Sequence, residues 1–150
     1  MKSGVDRLTE LFAAYAAAHG EMPPSFGTDG AVTVSAADGT SVNFHYRAAA
    51  DAVVVWTVAD ENPALDDAKR LRAALEANHY GTGTRGLTLA LTPEALGLGR
   101  RLVVQDRRPA AFFDSAETLA DYIEDVAAVA RQYGADGDRP GASGDWHVKA

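Results

Sequence analysis

The sequence contains no cysteine, and this absence excludes several kinds of protein. Without a thiol the chain can form no disulfide framework, supply no thiolate ligand to a metal, and use no cysteine nucleophile. The absence agrees with a reducing compartment such as the cytoplasm. The fold must therefore be stabilised by packing, hydrogen bonds and charge pairs instead of covalent cross-links.

Long apolar runs and an excess of basic residues are also missing. No stretch of about twenty apolar residues exists, so no transmembrane helix is predicted. Residues 1–20 lack the apolar run of a signal peptide, because Asp6, Arg7 and Glu10 interrupt it. The 14 Lys and Arg against 21 Asp and Glu give a net charge of -7. This charge argues against nucleic-acid binding, which needs clustered basic side chains. We expect a cytoplasmic protein with no membrane insertion.

The composition that is present is typical of one globular domain. Hydrophobic residues make up 47% and charged residues 23% of the 150 positions, near the average for folded domains. This length is enough for one hydrophobic core. Residues 134–150 are rich in Gly, Asp and Ser, so we expect the folded domain to span 1–133 and the rest to be a mobile tail.

Hydrophobic periodicity predicts three helices and five strands. A half-buried strand is indicated where Val42, Phe44 and Tyr46 alternate with polar residues. The last helix is indicated by Leu119, Ile123 and Val126, which recur at helical spacing. Asn62 and Pro63 suit the start of the second helix, and Ser115 suits the cap of the third. The predicted order is a helix over 5–18, strands over 31–36, 40–47 and 52–59, a helix over 63–77, strands over 87–91 and 102–105, and a helix over 115–133. This α-β-β-β-α-β-β-α order predicts an α+β fold with an antiparallel five-stranded sheet.

Motifs for catalysis or cofactor binding are weak or out of context. Gly81 to Gly86 reads G-T-G-T-R-G, which matches the dinucleotide fingerprint letter for letter. That fingerprint works only between a strand and a following helix, and here the order is reversed. The four histidines lack metal-ligand spacing, and no serine lies in G-x-S-x-G. We therefore predict no catalytic residue, no cofactor site and no metal site.

The region from Leu71 to Tyr133 carries a more specific pattern. L-R-A-A-L-E-A-N occupies 71–78, a Gly- and Thr-rich loop follows, L-T-L-A-L occupies 87–91, and a further strand and an amphipathic helix complete the region. This pattern resembles the class I type III secretion chaperones, the family that includes the Tir chaperone. Residues 105–109, Q-D-R-R-P, depart from it, because many relatives are apolar there.

The resemblance implies a function, partners and site residues. It implies a homodimer that holds the N-terminal chaperone-binding segment of a secreted effector in a soluble, secretion-competent state, with the secretion ATPase as a further partner. In this family the first helix and later strands line the patches that bind the effector. The corresponding residues here are Leu8, Leu11, Phe12, Tyr15, Leu89, Leu102 and Val104. The dimer contact implied on the second helix comprises Leu71, Ala74, Leu75 and Asn78.

Three alternatives remain open from the residues alone. Periodicity gives the same apolar residues a role in the core, because one face of every amphipathic helix packs inward. A sensory or small-ligand-binding domain could use a similar scaffold, and it would need an enclosed apolar pocket where a chaperone needs exposed apolar patches. An enzyme would instead show clustered ionisable side chains with perturbed pKa values in a cleft.

Overall fold

The computed structural model describes residues 2–61, 63, 67–93 and 99–134. Its main elements follow the predicted order and form an α+β fold. They are α1 (Gly4–Ala18), β1 (Ala31–Ser35), β2 (Ser41–Arg47), β3 (Ala52–Asp60), α2 (Ala68–Ala77), β4 (Thr88–Leu91), β5 (Leu102–Pro109) and α3 (Ala116–Tyr133). Among the described residues, no helix has both the length and the hydrophobicity needed to cross a bilayer.

The five strands form one antiparallel sheet in the order β1-β2-β3-β5-β4, so β1 and β4 are its edge strands. Phe44 of β2 pairs with Val32 of β1 and with Val55 of β3, and Leu89 of β4 pairs with Val104 of β5. The chain divides into two compact units. The first comprises the described residues of 1–56 and 106–125, and the second those of 57–105 and 126–134.

Aromatic side chains form the core of the first unit. Phe12 of α1 meets Phe44 of β2 edge to face, with ring centroids 5.0 Å apart, and Phe44 lies 6.0 Å from Phe113. Tyr122 of α3 packs on Phe113 at 5.1 Å. Phe12 and Phe44 are each 1% exposed. The alternation predicted for β2 therefore places its aromatic face under α1 and α3.

An ion pair joins α2 to β3 and α3 in the second unit. The Arg70 guanidinium donates to the Asp60 carboxylate at 3.0 Å and to the main-chain carbonyl of Tyr133 at 3.2 Å. Asp60 is buried, with a side chain that is 8% exposed. Gly134 follows with almost no space around it, since a Cβ there would lie 2.5 Å from the Ala59 carbonyl. Gly134 is thus packed against β3, and the rest of the predicted tail, 135–150, lies outside the described residues.

Two helix starts and one strand end test the sequence predictions in detail. Ser115 caps α3 as predicted, because its hydroxyl accepts the Thr118 N–H at 3.1 Å. The predicted start of the second helix is wrong for Pro63, which is not helical, and Asn62 lies outside the described residues. The Asp67 carboxylate caps α2 instead and accepts the Arg70 main-chain N–H at 3.0 Å. β5 runs to Pro109, four residues beyond its predicted end at 105.

Candidate partner-binding surfaces

Helix α1 lies between two open grooves in the first unit. The first groove, of about 770 Å³, separates the start of α1 from the loop of residues 23–30. Val5, Pro23, Pro24, Phe26 and Tyr46 supply most of its apolar lining. Phe26 is anchored edge to face on Phe12, with ring centroids 5.2 Å apart. The loop thus forms one wall of a groove that can take apolar side chains of a partner.

Local sequence explains the shape of the first groove. Gly4 has no side chain, and a Cβ at this position would overlap the Tyr46 hydroxyl. Tyr46 instead lies at the start of α1 and donates to the Asp51 carboxylate at 2.8 Å. That hydrogen bond is the main cause of the raised pKa of Tyr46. Because the hydroxyl is held by Asp51, the ring presents a fixed apolar surface.

The second groove, of about 440 Å³, lies along the side of α1 formed by Arg7, Leu8, Glu10 and Leu11. Residues 111–114 supply its other wall, through Ala111, Phe113 and Asp114. Leu8 and Phe113 form a buried floor, whereas Leu11 is half-buried and Arg7, Glu10 and Asp114 are exposed. This groove therefore combines an apolar floor with a rim that carries both signs of charge.

The structure buries most of the side chains predicted to contact an effector. Leu8, Phe12, Tyr15, Leu89, Leu102 and Val104 all lie in the core, and burial is the main cause of the raised pKa of Tyr15. Leu11 is the member of the predicted set that remains partly exposed. A partner could therefore reach this set directly through Leu11, with Leu8 at the base of the same groove. Sequence periodicity did not identify Phe26 and Tyr46 as residues that line a groove. For Phe26, its position shortly after Pro23-Pro24 was a usable signal.

The outward edge of β1 has free main-chain groups in its middle. Alternate residues of β1 bond to β2, and Ala31, Thr33 and Ser35 belong to the outward set. Ala31 is closed by its own turn, and just beyond β1 the Ala37 N–H donates to the Glu124 carboxylate at 3.0 Å. Within the described residues, the main-chain N–H and C=O of Thr33 and Ser35 have no partner. An extended segment could pair with these four groups as an added strand.

The polar extension of β5 is satisfied by its own neighbours. The Asp106 carboxylate accepts hydrogen bonds from the Tyr122 hydroxyl and from Arg108 Nε, each at 2.7 Å. Burial and then this hydrogen bond raise the pKa of Tyr122, and the bond to Asp106 raises the pKa of Arg108. The Arg108 guanidinium also lies 4.7 Å above the ring of Phe112, which is 37% exposed. The departure from the family pattern is therefore an ordered strand end beside an exposed aromatic ring.

Among the described residues of the second unit, the most exposed large apolar side chains lie on α2 and the turn after it. Leu75 is 73% exposed and Tyr80 is 92% exposed, whereas Ala74 is buried and Leu71 is half-buried. Tyr80 has a φ of 54°, a conformation uncommon for a residue with a side chain. Of the predicted dimer residues, Leu75 is thus available to a partner, and sequence reasoning missed Tyr80. Asn78 uses its side chain inside the chain, on the main chain of Leu89.

The Gly81–Gly86 loop lies in the order that the sequence predicted, after α2 and before β4. A strand follows it in the chain, so the loop does not open a helix, and helix N-termini supply the field that binds pyrophosphate. Across the described ranges, no three His, Cys, Asp or Glu residues are grouped as ligands of a metal ion.

Comparison with known proteins identifies the fold. No family model matches the sequence, and no curated protein matches it. A chain of the HopA1-SchA chaperone-effector complex is 14% identical, with a TM-score of 0.68 over 89% of this chain and 97% of that chain. A chain of the ExsC-ExsE complex is 14% identical, with a TM-score of 0.70 over 88% of this chain and 94% of that chain.

A third similar structure contains a type III secretion chaperone. It contains the Yersinia pestis type III secretion chaperone SycH in complex with a stable fragment of YscM2, at 13% identity and a TM-score of 0.64. The match covers 84% of this chain and 98% of that chain. Identities this low are informative about the fold alone. The chain has the fold of the class I type III secretion chaperones, as the pattern over residues 71–133 predicted.

Proposed function

We propose that this chain is a type III secretion chaperone that binds the N-terminal chaperone-binding segment of a cognate effector and keeps it soluble and secretion-competent. The observation that carries the proposal is the pair of open grooves on either side of α1, which share one helix and have apolar floors or walls. A segment that lies across α1 could place apolar side chains in both grooves. Burying such anchors is how a disordered segment gains affinity on binding.

The unpaired edge of β1 supports the same function. Thr33 and Ser35 offer two N–H and two C=O groups, spaced as in the edge of an antiparallel pair. Strand addition at such an edge supplies affinity that does not depend on side-chain identity, while adjacent apolar pockets supply specificity. The combination suits an extended protein segment better than a small molecule, because the grooves are open to solvent rather than enclosed.

The proposed role requires no chemical step and no cofactor. Binding would take place in the bacterial cytoplasm, where the chain would protect its partner before export, and the secretion ATPase is proposed as a further contact. A sensory or small-ligand role would need a closed apolar cavity with a few converging polar groups. The surfaces around α1 favour the chaperone over that alternative.

Changing Leu11 to aspartate is expected to weaken effector binding while leaving the chain folded. Leu11 is half-buried in the second groove, so the carboxylate can remain solvated in the free protein but must be desolvated under an apolar anchor. A central anchor is typically worth at least about 2 kcal/mol, a loss of roughly thirtyfold in affinity. Calorimetric titration with the product of the neighbouring gene would measure the loss, and denaturant unfolding would verify the fold.

The matched control is Ala14→Asp, which adds the same charge to an exposed position on the same helix. We expect Ala14→Asp to bind with the affinity of the parent chain. Equal binding by both variants would show that the second groove is not the binding surface. Failure of the neighbouring gene product to bind the parent chain would instead direct the search to other secreted proteins of the host.

We propose that two copies of the chain associate through α2. Leu75 and Tyr80 expose apolar surface, and Arg72 and Glu76 lie one turn apart on the exposed face of the helix. When two such helices meet antiparallel about a twofold axis near Leu75, the arginine of one copy approaches the glutamate of the other. This face therefore offers apolar surface and complementary charges to a second copy of itself.

Light scattering is expected to give the mass of two chains for the parent protein and of one chain for Leu75→Asp. The aspartate would place two carboxylates near the proposed twofold axis, where each loses its hydration. Ala14→Asp serves again as control and should keep the mass of two chains. A parent protein with the mass of one chain at micromolar concentration would refute the dimer.

A further inference from the structure

The outward edge of β4 is closed by a side chain from the end of α2. Alternate residues of β4 bond to β5, so the outward main-chain groups belong to Leu87, Leu89 and Leu91. The Asn78 side chain accepts the Leu89 N–H at 2.8 Å and donates to the Leu89 carbonyl at 2.9 Å. An asparagine amide carries both a donor and an acceptor, as a peptide group does. Asn78 thus occupies the place of a residue on a neighbouring strand.

The glycine-rich loop closes the same edge one step earlier. Thr84 accepts the Leu87 N–H through its main-chain carbonyl at 3.0 Å, and its hydroxyl donates to the Leu87 carbonyl. The Thr84 side chain is fully buried, which is unusual for threonine. The four outward groups of Leu87 and Leu89 are therefore all bonded within the chain.

The glycines of the loop make this closure possible. Gly81 has a φ of 69° and Gly86 a φ of 85°, values that favour glycine. The two residues approach so closely that a Cβ on Gly81 would lie 2.8 Å from the Gly86 Cα, and the Gly86 N–H donates to the Gly81 carbonyl at 3.2 Å. The G-T-G-T-R-G sequence thus folds into a compact turn that presents Thr84 to Leu87.

We infer that Asn78 and Thr84 are specificity residues that close the Leu87 and Leu89 part of the β4 edge against strand addition. An unpaired edge is a template on which another chain can form a strand. The consequence for the proposed function is that an extended partner can add at β1, where Thr33 and Ser35 are open, and not beside Leu87 and Leu89. The closure itself is a property of this chain alone and can be tested without an effector.

Replacing Asn78 with alanine is expected to open Leu89 and cause association through β4. Analytical ultracentrifugation over a range of concentrations should show the mass of Asn78→Ala rising above that of the parent chain. The Leu89 amide should exchange its hydrogen about fivefold faster, as expected for the loss of one hydrogen bond of about 1 kcal/mol. Asn43→Ala is the matched control, because that side chain also makes two hydrogen bonds, to Thr33 and Trp56, on an interior strand. It should keep the parent mass.

A second substitution tests whether the new contact is at the edge. Thr88→Lys places a charge on the exposed side of β4 and should return Asn78→Ala to the parent mass, because charged edge strands resist pairing. If Asn78→Ala fails to fold, Thr84→Val gives a second test, since it frees the Leu87 carbonyl while keeping the side-chain volume and the main-chain bond to the Leu87 N–H. A folded Asn78→Ala or Thr84→Val that stays at the parent mass would overturn the inference. Absence of effector binding by the parent would count against the proposed function and leave this result unaffected.

Discussion

Replacing Phe12 with alanine is expected to lower the free energy of unfolding by about 3–5 kcal/mol, as for other large core aromatics. Phe12 is fully buried and contacts Phe44 and Phe26 edge to face. The substitution removes both aromatic contacts and leaves a cavity under α1 that its rigid neighbours cannot fill. A loss of this size is a large part of the total stability of a domain. Denaturant unfolding followed by circular dichroism would measure it.

Leu11→Ala is the comparison for this experiment. Leu11 directly precedes Phe12 on α1 but is only half-buried, so its truncation should destabilise the chain by clearly less than Phe12→Ala. The pair separates core from surface on one turn of the helix. Equal losses would mean that Leu11 is a core residue, and the second groove would then lose its proposed anchor position. A loss below about 1 kcal/mol for Phe12→Ala would contradict the packing of the aromatic core.

Replacing Arg70 with alanine is expected to destabilise the second unit by about 3 kcal/mol, the lower part of the range for breaking a buried ion pair. The substitution removes the cation that faces the Asp60 carboxylate and the donor that bonds the Tyr133 carbonyl. Most of the loss comes from the buried carboxylate, which keeps its desolvation penalty without this partner. Thermal and denaturant unfolding would both report it.

The control for Arg70 lies on the same helix. Lys69 is exposed, and Lys69→Ala removes the same charge from the same helix, so it should alter stability by less than about 0.5 kcal/mol. Arg70→Lys keeps the charge but loses the planar geometry of the guanidinium, and we expect an intermediate loss. Similar stabilities for Arg70→Ala and Lys69→Ala would contradict the structural role of the ion pair.

The order of elements could be predicted from the sequence because each element carries its own period. Val42, Phe44 and Tyr46 alternate along β2, and Ser115 marks the start of α3, so both were placed within one residue. The end of β5 could not be predicted in this way. Asp106 and Arg108 look like the end of an apolar strand, yet they continue it because Asp106, Arg108 and Tyr122 satisfy one another's polar groups. That satisfaction depends on a helix later in the chain.

The candidate surfaces were harder to predict than the fold. Leu8, Leu11, Phe12 and Tyr15 share one apolar face of α1, and periodicity cannot tell which of them lies under neighbouring elements. Of these four, Leu11 is the one left partly exposed. Its groove could not be predicted, because the 111–114 segment that forms the other wall comes from a distant part of the sequence. The family resemblance implied Asn78 as a dimer contact. Its bonds to Leu89 depend on how the loop folds back, which sequence spacing does not reveal.

The division of the chain into its two units has a consequence for the order of events during synthesis. Between α2 and β4, the contacts of Asn78 and Thr84 join residues at most 11 positions apart in sequence, so they can form early. The first unit, in contrast, needs residues 106–125 to close on 1–56. Chains emerge from the ribosome N-terminus first, so α1 cannot pack against Phe113 until most of the remaining chain has been translated. The second groove is therefore complete only once residues 111–114 have left the ribosome.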